Sequence, residues 1–547
     1  MLKSRKVVIG IGTLVVLLAG VGVAAQQTDI YFLIKKNFNI FSKTYEKVAL
    51  EYVDEVDPEM LMRTGMEAML ETLDPYTVMY SESQNEQAEI RSRGNYAGVG
   101  IDAGYRDGKV VVMAPVEGGP AEKVGIRTGD VIVAVDGVLA EGLQPEEVKS
   151  LLSGEVGSEV EITIDRYGLD QVLDFTLVRE RIELSNVSYS GLMGSQENVG
   201  YIKLTQFGRN SAEEIRTSIL EFSEQREIDG LVLDLRDNPG GILQEAVAII
   251  DKFIEPGITA VETRGRVAEY NQTFPTEQPV MFDKPVVVLM SNGSASASEV
   301  VAGALQDLDR ALILGEQSFG KGLVQIVKPL PYNTSLKITI SRYYIPSGRS
   351  IQSIQYTHKG RNSAVISEAS EQKQFKTRNG RIVYEGRGIE PDVEIEKEEL
   401  SLLEVTLLRE GMYFDFATQF EAANSTFEVK RLPDKVYNAF LKFLDSKDFD
   451  YTTNSEQLLE KLEAELEKVK GAQAQIKSLR ESIAKEKEQL LKEAEDNIRR
   501  TLYLELISRY KGQSGKVEAG LRLDPQVLKA IEFINNPGQM NDILSGQ

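Results

Sequence analysis

The chain has 547 residues, too many for one hydrophobic core, so three or four domains are expected. A formal net charge of −22 excludes a general nucleic-acid binder, whose phosphate partners require a basic face. The absence of cysteine excludes disulfides, thiolate zinc sites and a cysteine nucleophile, and a single histidine excludes His-Glu-x-x-His metal chemistry.

That histidine, His358, lies in the polar stretch Tyr356-Thr-His-Lys-Gly360 and reads as a solvated side chain, so a Ser-His-Asp scheme has little to rest on. Asp-Thr-Gly and Asp-Ser-Gly are both missing. Acid–base chemistry is therefore left to lysine or a carboxylate, and no metal or cofactor is expected.

At the N-terminus, Lys3, Arg5 and Lys6 precede an apolar run from Val7 to Ala25. In a helix such a run reaches about 28 Å, near the hydrocarbon thickness of a bilayer. It ends in Val23-Ala24-Ala25 before Gln26, an acceptable small-residue cleavage site. Residues 1–26 read as either a signal peptide or an inner-membrane anchor, with the remainder exported to the periplasm or cell envelope.

Residues 27–90 have a helical pattern, with Asp57-Pro58 as cap and first turn and Asp74-Pro75 as the stop. Met60, Met66 and Met69 are expected to pack into its core. Residues 91–183 change to short strands and glycine turns: Lys109–Ala114, Gly129–Gly137 and Glu159–Arg166, with a helix from Pro145 to Leu152.

From 184 to 400 strands and helices alternate: 199–204, 211–225, 230–235, 242–254, 286–290, 298–308 and 311–314. This predicts a largely parallel sheet covered by helices. Residues 401–547 are mainly helical. Leu459, Leu462, Leu466, Val469, Ile476, Leu479 and Ile483 recur at helical spacing, predicting one long amphipathic helix or coiled coil to about Tyr510. Its apolar stripe packs on its own domain or on a second copy of the chain.

Three stretches bear on chemistry. In Val286–Leu305 a buried strand runs into Ser-Asn-Gly-Ser-Ala-Ser-Ala-Ser and then a helix, placing a serine where free N–H groups favour negative charge. Taken alone, such a serine cluster before a helix is more often just capping. Gly320-Lys321-Gly322 puts a lysine between two glycines at the start of an apolar strand. A lysine base must be neutral, and an unshifted one is neutral about once in 2,500 at pH 7, so only a desolvated lysine can act. Asp234-Leu-Arg-Asp-Asn-Pro-Gly-Gly241 ends a strand in glycines able to present bare N–H groups, as an oxyanion hole needs. Gly315–Gly322 also mimics a phosphate-binding loop. The position that would hold magnesium is Gly322, and a strand rather than a helix follows, so nucleotide binding is disfavoured.

Together these stretches resemble the carboxy-terminal processing (tail-specific) serine peptidases. The likeness covers roughly residues 30–400 and rests on seven elements in order: Leu73-Asp-Pro-Tyr76, Gly98-Val-Gly-Ile101, Asp234–Gly241, Gly293–Glu299, Phe319–Gln325, Tyr344-Ile-Pro-Ser-Gly348 and Gly388-Ile-Glu-Pro-Asp392.

The resemblance implies a crotonase/Clp-like α/β peptidase core (184–400) carrying a β-rich PDZ domain (91–183), with helical regions before and after. It implies Ser296 as nucleophile, Lys321 as general base and Gln325 as the residue orienting the lysine. The oxyanion hole would be the backbone N–H of Ala297 and of Gly240 or Gly241. In the PDZ domain, Gly98, Val99, Gly100 and Ile101 would receive a substrate's terminal carboxylate, and Val99, Ile101, Val148 and Leu152 would form an apolar pocket or plain core. The implied partners are proteins or peptides with free apolar C-termini.

Two other functions fit the same outline. A catalytically silent PDZ scaffold is disfavoured because Ser296, Lys321 and Gln325 are all present. An acyl-CoA hydratase or isomerase on the same core is disfavoured by the exported N-terminus.

Overall fold

The computed structural model describes residues 30–546 apart from 83, 86–93, 357–363, 367–372, 397–398 and 467–472. The apolar segment Val7–Ala25 and His358 lie outside the described residues. Among those described, no helix is long and apolar enough to cross a membrane.

Residues up to 81, with 327–338 and 356–364, form a small unit by themselves. It holds a helix over 30–51 (α1), α2 (Pro58–Glu71) and the short strand β1 (Val78–Tyr80), which pairs antiparallel with Ser335–Lys337. Asp57 caps α2 by accepting from the N–H groups of Glu59 and Met60, and Pro58 occupies the first turn where no donor is lost. Asp74 closes the following turn, accepting from Tyr76 and Thr77. The expected methionine packing is not realised. Met60 and Met69 are 65% and 62% exposed, Met66 is half-buried, and Leu70 alone on the helix is buried. The strand β1 has three residues, too little sheet to cover the stripe.

The second unit begins with the β-rich module. β2 (Asn95–Gly98) is followed by β3 (Ile101–Arg106), β4 (Lys109–Pro115), the turn helix α3 (Pro120–Lys123), β5 (Val131–Val135) and β6 (Val138–Leu139). Helix α4 (Pro145–Leu152), β7 (Glu159–Asp165), β8 (Leu173–Val178) and β9 (Glu180–Glu183) complete it. β2 and β9 pair antiparallel, so one stem opens and closes the module. The main sheet runs β3-β4-β5-β7-β8, which leaves β3 as an edge strand. Strand alternation explains the core: Val160, Ile162 and Ile164 of β7 point inward while Glu159 and Glu161 face water.

The α/β core contains β10 (Val187–Met193), β11 (Val199–Leu204), α5 (Ser211–Gln225), β12 (Gly230–Asp234), α6 (Leu243–Ile250), β13 (Thr259–Gly265) and β14 (Gln272–Pro275). It continues with β15 (Val286–Met290), α7 (Ala297–Asp307), β16 (Leu312–Gly315), β17 (Leu323–Pro329), β18 (Ser335–Tyr344) and β19 (Val393–Glu394). The central sheet has the order β10-β11-β12-β15-β16-β19, antiparallel at the first pair and parallel thereafter. In β15, Val286, Val288 and Met290 pack toward α5, α6 and α7, while Val287 and Leu289 face the opposite side. That opposite side is covered by helices from the chain's end, and burial on both faces explains the unbroken apolar strands.

The C-terminal region holds α8 (Leu402–Arg409), α9 (Met412–Ala423), α10 (Asp434–Ser446), α11 (Asn454–Leu466), α12 (Gln473–Glu493), α13 (Glu495–Leu521), α14 (Pro525–Asn535) and α15 (Pro537–Ser545). α14 and α15 lay Val527, Ala530, Ile531, Ile534, Met540 and Leu544 on the central sheet. Of the two expectations, one long helix or a coiled coil, the single helix is not found: the segment is an antiparallel pair followed by a third helix. Glu463 meets Arg480 and Glu456 meets Lys487, so partners step in opposite directions along α11 and α12. Of the apolar stripe, Leu459 is buried and Ile476 and Ile483 are half-buried, while Leu462 and Leu479 stay 42% and 44% exposed; Val469 lies outside the described residues.

A separate aromatic core fills the helical region: Phe440 is fully buried and stacks on Tyr413 at 5.3 Å, edge-on to Phe416 at the same distance. Phe440→Ala is expected to destabilise this region by about 3–5 kcal/mol. Chemical denaturation followed by tyrosine fluorescence should show its transition shifted to lower denaturant.

Candidate active site

Parallel strands β12 and β15 end side by side, with Asp234 in register with Leu289. Each continues into a turn and then a helix. The two turns are sewn together by buried side chains. Ser294 Oγ donates to the carbonyl of Leu235 at 2.8 Å and accepts from the N–H of Ser291 at 2.9 Å. Asn238, fully buried, receives Ala295 N–H and Ser298 Oγ on its carbonyl at 3.0 and 2.9 Å. Its side chain donates to Leu204 O and accepts the N–H of Gly240 at 2.9 Å. A buried donor must be paired, and Gly240's is.

Both glycines of this turn are fixed by close approach. A Cβ on Gly240 would lie 2.8 Å from Ala297 N and from Ser296 Cβ, and one on Gly241 would lie 2.3 Å from Phe207 O. A side chain at Gly240 would run into Ser296, and one at Gly241 into the backbone of Phe207.

Ser296 is the N-cap of α7 and is only 6% exposed. Its backbone, at φ 55 and ψ −113, lies outside the regions open to L-residues, a strain of order 1–3 kcal/mol that the surroundings must hold. Glu299 holds it. The Glu299 Oε2 atom accepts the N–H of Ser296 at 2.8 Å and also the N–H of Lys321 at 2.8 Å. Its Oε1 accepts Ser318 Oγ at 2.5 Å and Gly320 N–H at 2.7 Å. Glu299 has no exposed surface. Burial raises its carboxyl above the ordinary range, and the donors of Ser318, Lys321, Ser296 and Gly320 draw it back.

Lys321 itself is half-buried. Its flanking glycines let the loop pass against residues 352–353: a Cβ on Gly320 would meet Ser353 Oγ at 2.1 Å, and one on Gly322 would meet Gln352 N at 2.6 Å. The Gly322 N–H donates to Gln352 Oε1 at 2.7 Å. Gln325 lies farther along β17, its amide donating to Thr339 Oγ1 at 3.2 Å. Tyr343 packs its hydroxyl against the Ser296 side chain. Burial raises that phenol, the Ser296 contact lowers it, and the Glu299 charge adds to the rise.

Beneath the glycine turn sits an ion cluster. Asp234 is fully buried and Arg236 clamps it through Nε and Nη2, with Tyr201 donating to Asp234 Oδ2 at 2.5 Å. Burial alone would raise the Asp234 carboxyl, but Arg236 holds it below the usual range. Arg236 also reaches Asp524 Oδ2 at 2.7 Å and Gln526 Oε1 at 3.0 Å, both from the C-terminal helical region.

The β-rich module places Gly98, Val99, Gly100 and Ile101 between β2 and the edge strand β3. The carbonyls of Val99 and Gly100 accept from Ala121 and Val116. Val99, Ile101, Val148 and Leu152 are all buried in the module's one apolar cluster, where α4 packs against β3.

In the sequence Glu299 stands at the end of the Gly293–Glu299 motif with no role of its own. The Ser296-x-x-Glu299 spacing is that of a capping box, and this was the available signal. Asn238, Tyr343, Asp524 and Gln526 carried no comparable pattern.

Comparison with known proteins bears on this geometry. The profile described as Peptidase family S41 matches residues 198–359, a PDZ domain profile matches 111–166, and one described as "Probable PDZ-protease, C-terminal helical domain" matches 403–534. A carboxy-terminal-processing protease of Bartonella bacilliformis is 36% identical over 321 residues, 58% of this chain and 73% of the relative. The chain belongs to the carboxy-terminal-processing protease family.

It is thus a serine-type peptidase with a PDZ domain. Carboxy-terminal processing protease CtpA of Bacillus subtilis is 27% identical over 433 residues, covering 78% of this chain and 91% of that protein. Among solved structures, a photosystem II D1 C-terminal processing protease is 29% identical, covers 64% of this chain and 86% of its own, and superposes with a TM-score of 0.33.

Within this protease, Glu299→Gln would set an amide NH2 group against N–H donors. Losing one or two charge-assisted hydrogen bonds, each about 1.5–3 kcal/mol, should lower kcat/KM at least ~10-fold, with the far-ultraviolet circular dichroism unchanged. An unchanged kcat/KM would mean that the carboxylate does not organise the site.

Proposed function

We propose that this protease cleaves exported proteins through a Ser296/Lys321 dyad, after its PDZ domain captures their free apolar C-termini. One observation carries the dyad: a single oxygen of Glu299 accepts the backbone N–H groups of both Ser296 and Lys321. Two loops distant in sequence are thereby held at one carboxylate, beside a serine at a strained strand-to-helix turn.

In this reading neutral Lys321 takes the Ser296 hydroxyl proton as Oγ attacks the scissile carbonyl. The tetrahedral oxyanion is met by backbone N–H groups, worth about 2.7–4 kcal/mol each. Ala297 supplies one. Gly241 is favoured over Gly240 for the other, because the Gly240 N–H is engaged by Asn238. Collapse transfers the proton to the leaving amine and leaves an acyl-enzyme, which water hydrolyses with Lys321 again as base. Gln325 orients the lysine from the same strand. The half-buried setting of Lys321 between two close-packed glycines supports the desolvation that a lysine base requires.

Capture of C-termini is supported by the edge position of β3, open to strand addition, with α4 packed along it and the Gly98–Ile101 loop at its head. Export and anchoring rest on the apolar run Val7–Ala25.

The test is cleavage of an unfolded protein ending in a free apolar C-terminus and of the same protein amidated. Wild type should cut both, the amidated one more slowly. Ser296→Ala and Lys321→Ala should each lose activity at least ~1,000-fold, as removal of members of a catalytic unit does. Cleavage surviving Ser296→Ala would overturn the nucleophile assignment, and equal rates on both substrates would overturn C-terminal capture.

A further inference from the structure

Helix α1 carries an apolar stripe that the small unit covers only in part. Ile30, Ile34, Phe38, Phe41, Tyr45 and Val48 recur at three- and four-residue spacing and so share one face. The later half of the stripe packs on the unit. A Cβ on Gly65 of α2 would lie 3.6 Å from the Phe41 ring, Tyr45 donates its hydroxyl to the carbonyl of Pro58 at 3.0 Å, and Tyr45 and Val48 are half-buried. The earlier half lies open: Ile30, Ile34 and Phe38 are 53%, 59% and 68% exposed. Tyr31, Leu33 and Ile40, also exposed, widen it on both sides. At about 100° per residue these six side chains span about half of the helix circumference. That is wider than the ~100° stripe by which a helix usually meets a protein core. Large apolar side chains exposed together in this way mark a contact surface.

The other half of the circumference is polar apart from Phe32, and its edges are basic. Lys35 and Lys36 stand about 40° beyond the two ends of the apolar arc, with Asn39 between them. Farther along the helix Lys43 and Lys47 pair with Glu46 and Glu51. Up to Val48 the sequence has seven basic side chains and two acidic ones, in a chain whose net charge is −22. Position adds a further constraint. Only residues 26–29 separate α1 from the apolar run ending at Ala25, a reach of at most about 18 Å. With that run in a bilayer, α1 begins beside the headgroups, and it is not apolar enough to cross.

We infer that the first three turns of α1 lie along the surface of an anionic bilayer. The apolar arc sits in the boundary between headgroups and acyl chains, with Lys35 and Lys36 reaching the phosphates on either side. This rests on reading Val7–Ala25 as an anchor. A second copy of α1 fits the surface less well. One facing helix would cover a single strip of the arc and would bring the edge lysines of both copies together, whereas anionic headgroups neutralise them. Through Phe41, Tyr45 and Val48 the same helix then holds α2 at the membrane.

The chain has no tryptophan, so Phe38→Trp places a lone indole at an exposed position and leaves the packed half of the helix untouched. The full chain is reconstituted into vesicles of phosphatidylglycerol and phosphatidylethanolamine. Flotation reports anchoring, and quenching of the indole by lipids brominated on the acyl chain reports α1. The chain should float, with blue-shifted emission and at least ~twofold quenching. Adding Lys35→Glu and Lys36→Glu should remove about half of that quenching or more. A floating chain with an unquenched, unshifted indole would overturn the α1 inference and leave the anchor standing. Blue-shifted but unquenched emission would mean that a second copy covers the arc, and would overturn it too. Quenching unchanged by the lysine reversals would overturn recognition of anionic lipid. Flotation stripped by high salt, with quenching present before the wash, would remove the anchor and keep α1 on the surface. A chain that neither floats nor is quenched would overturn both.

Discussion

The Glu299 carboxylate has no contact with water and is met by four donors from the serine turn, the lysine loop and Ser318. Isolated, such a buried charge would cost several kcal/mol. Here the desolvation is offset by hydrogen bonds that no neutral side chain of its shape could all accept. The consequence is geometric: Ser296 is kept in a backbone conformation it would otherwise leave, and Lys321 is kept beside it. Ser318 extends the same network outward, since its Oγ accepts the N–H of Ile389 at 2.7 Å and thereby ties in the Gly388–Asp392 motif.

The motifs that sequence alone places in order are those whose backbone cannot be otherwise. Gly240, Gly241, Gly320 and Gly322 are legible because each meets a neighbouring chain at a distance no Cβ tolerates. The parallel sheet is legible because β12 and β15 are apolar at every position but Asp234, Gly230 included as a small residue against Pro285. What stays hidden are interactions between distant segments. Nothing local marks Asn238 as the acceptor that takes Gly240's N–H, or Asp524 as a partner of Arg236 some 288 residues earlier. The methionines of α2 show the opposite error. Helical periodicity promises a buried face, but a face is buried only when something of sufficient size lies against it.

The C-terminal helices also have a larger part in the core than their late position implies. α14 and α15, together with Leu521 of α13, cover one face of the central sheet, so the catalytic strands are sandwiched between helices drawn from the middle and the end of the chain. The α11–α12 pair shows why a continuous heptad-like stripe need not be one helix: the stripe is divided between two antiparallel helices, joined by the ion pairs Glu463–Arg480 and Glu456–Lys487. Truncation near residue 400 would therefore expose Val232, Val287 and Leu289, all fully buried in the intact chain.

The most direct measurement is covalent labelling with a serine-reactive phosphonate ester, followed by mass spectrometry of the intact chain and its peptides. One adduct on Ser296, formed at least ~100-fold more slowly in Lys321→Ala and clearly more slowly in Glu299→Gln, is what a lysine-activated serine held by a shared carboxylate predicts. Labelling at another serine, or labelling of Ser296 at an unchanged rate in both variants, would contradict it.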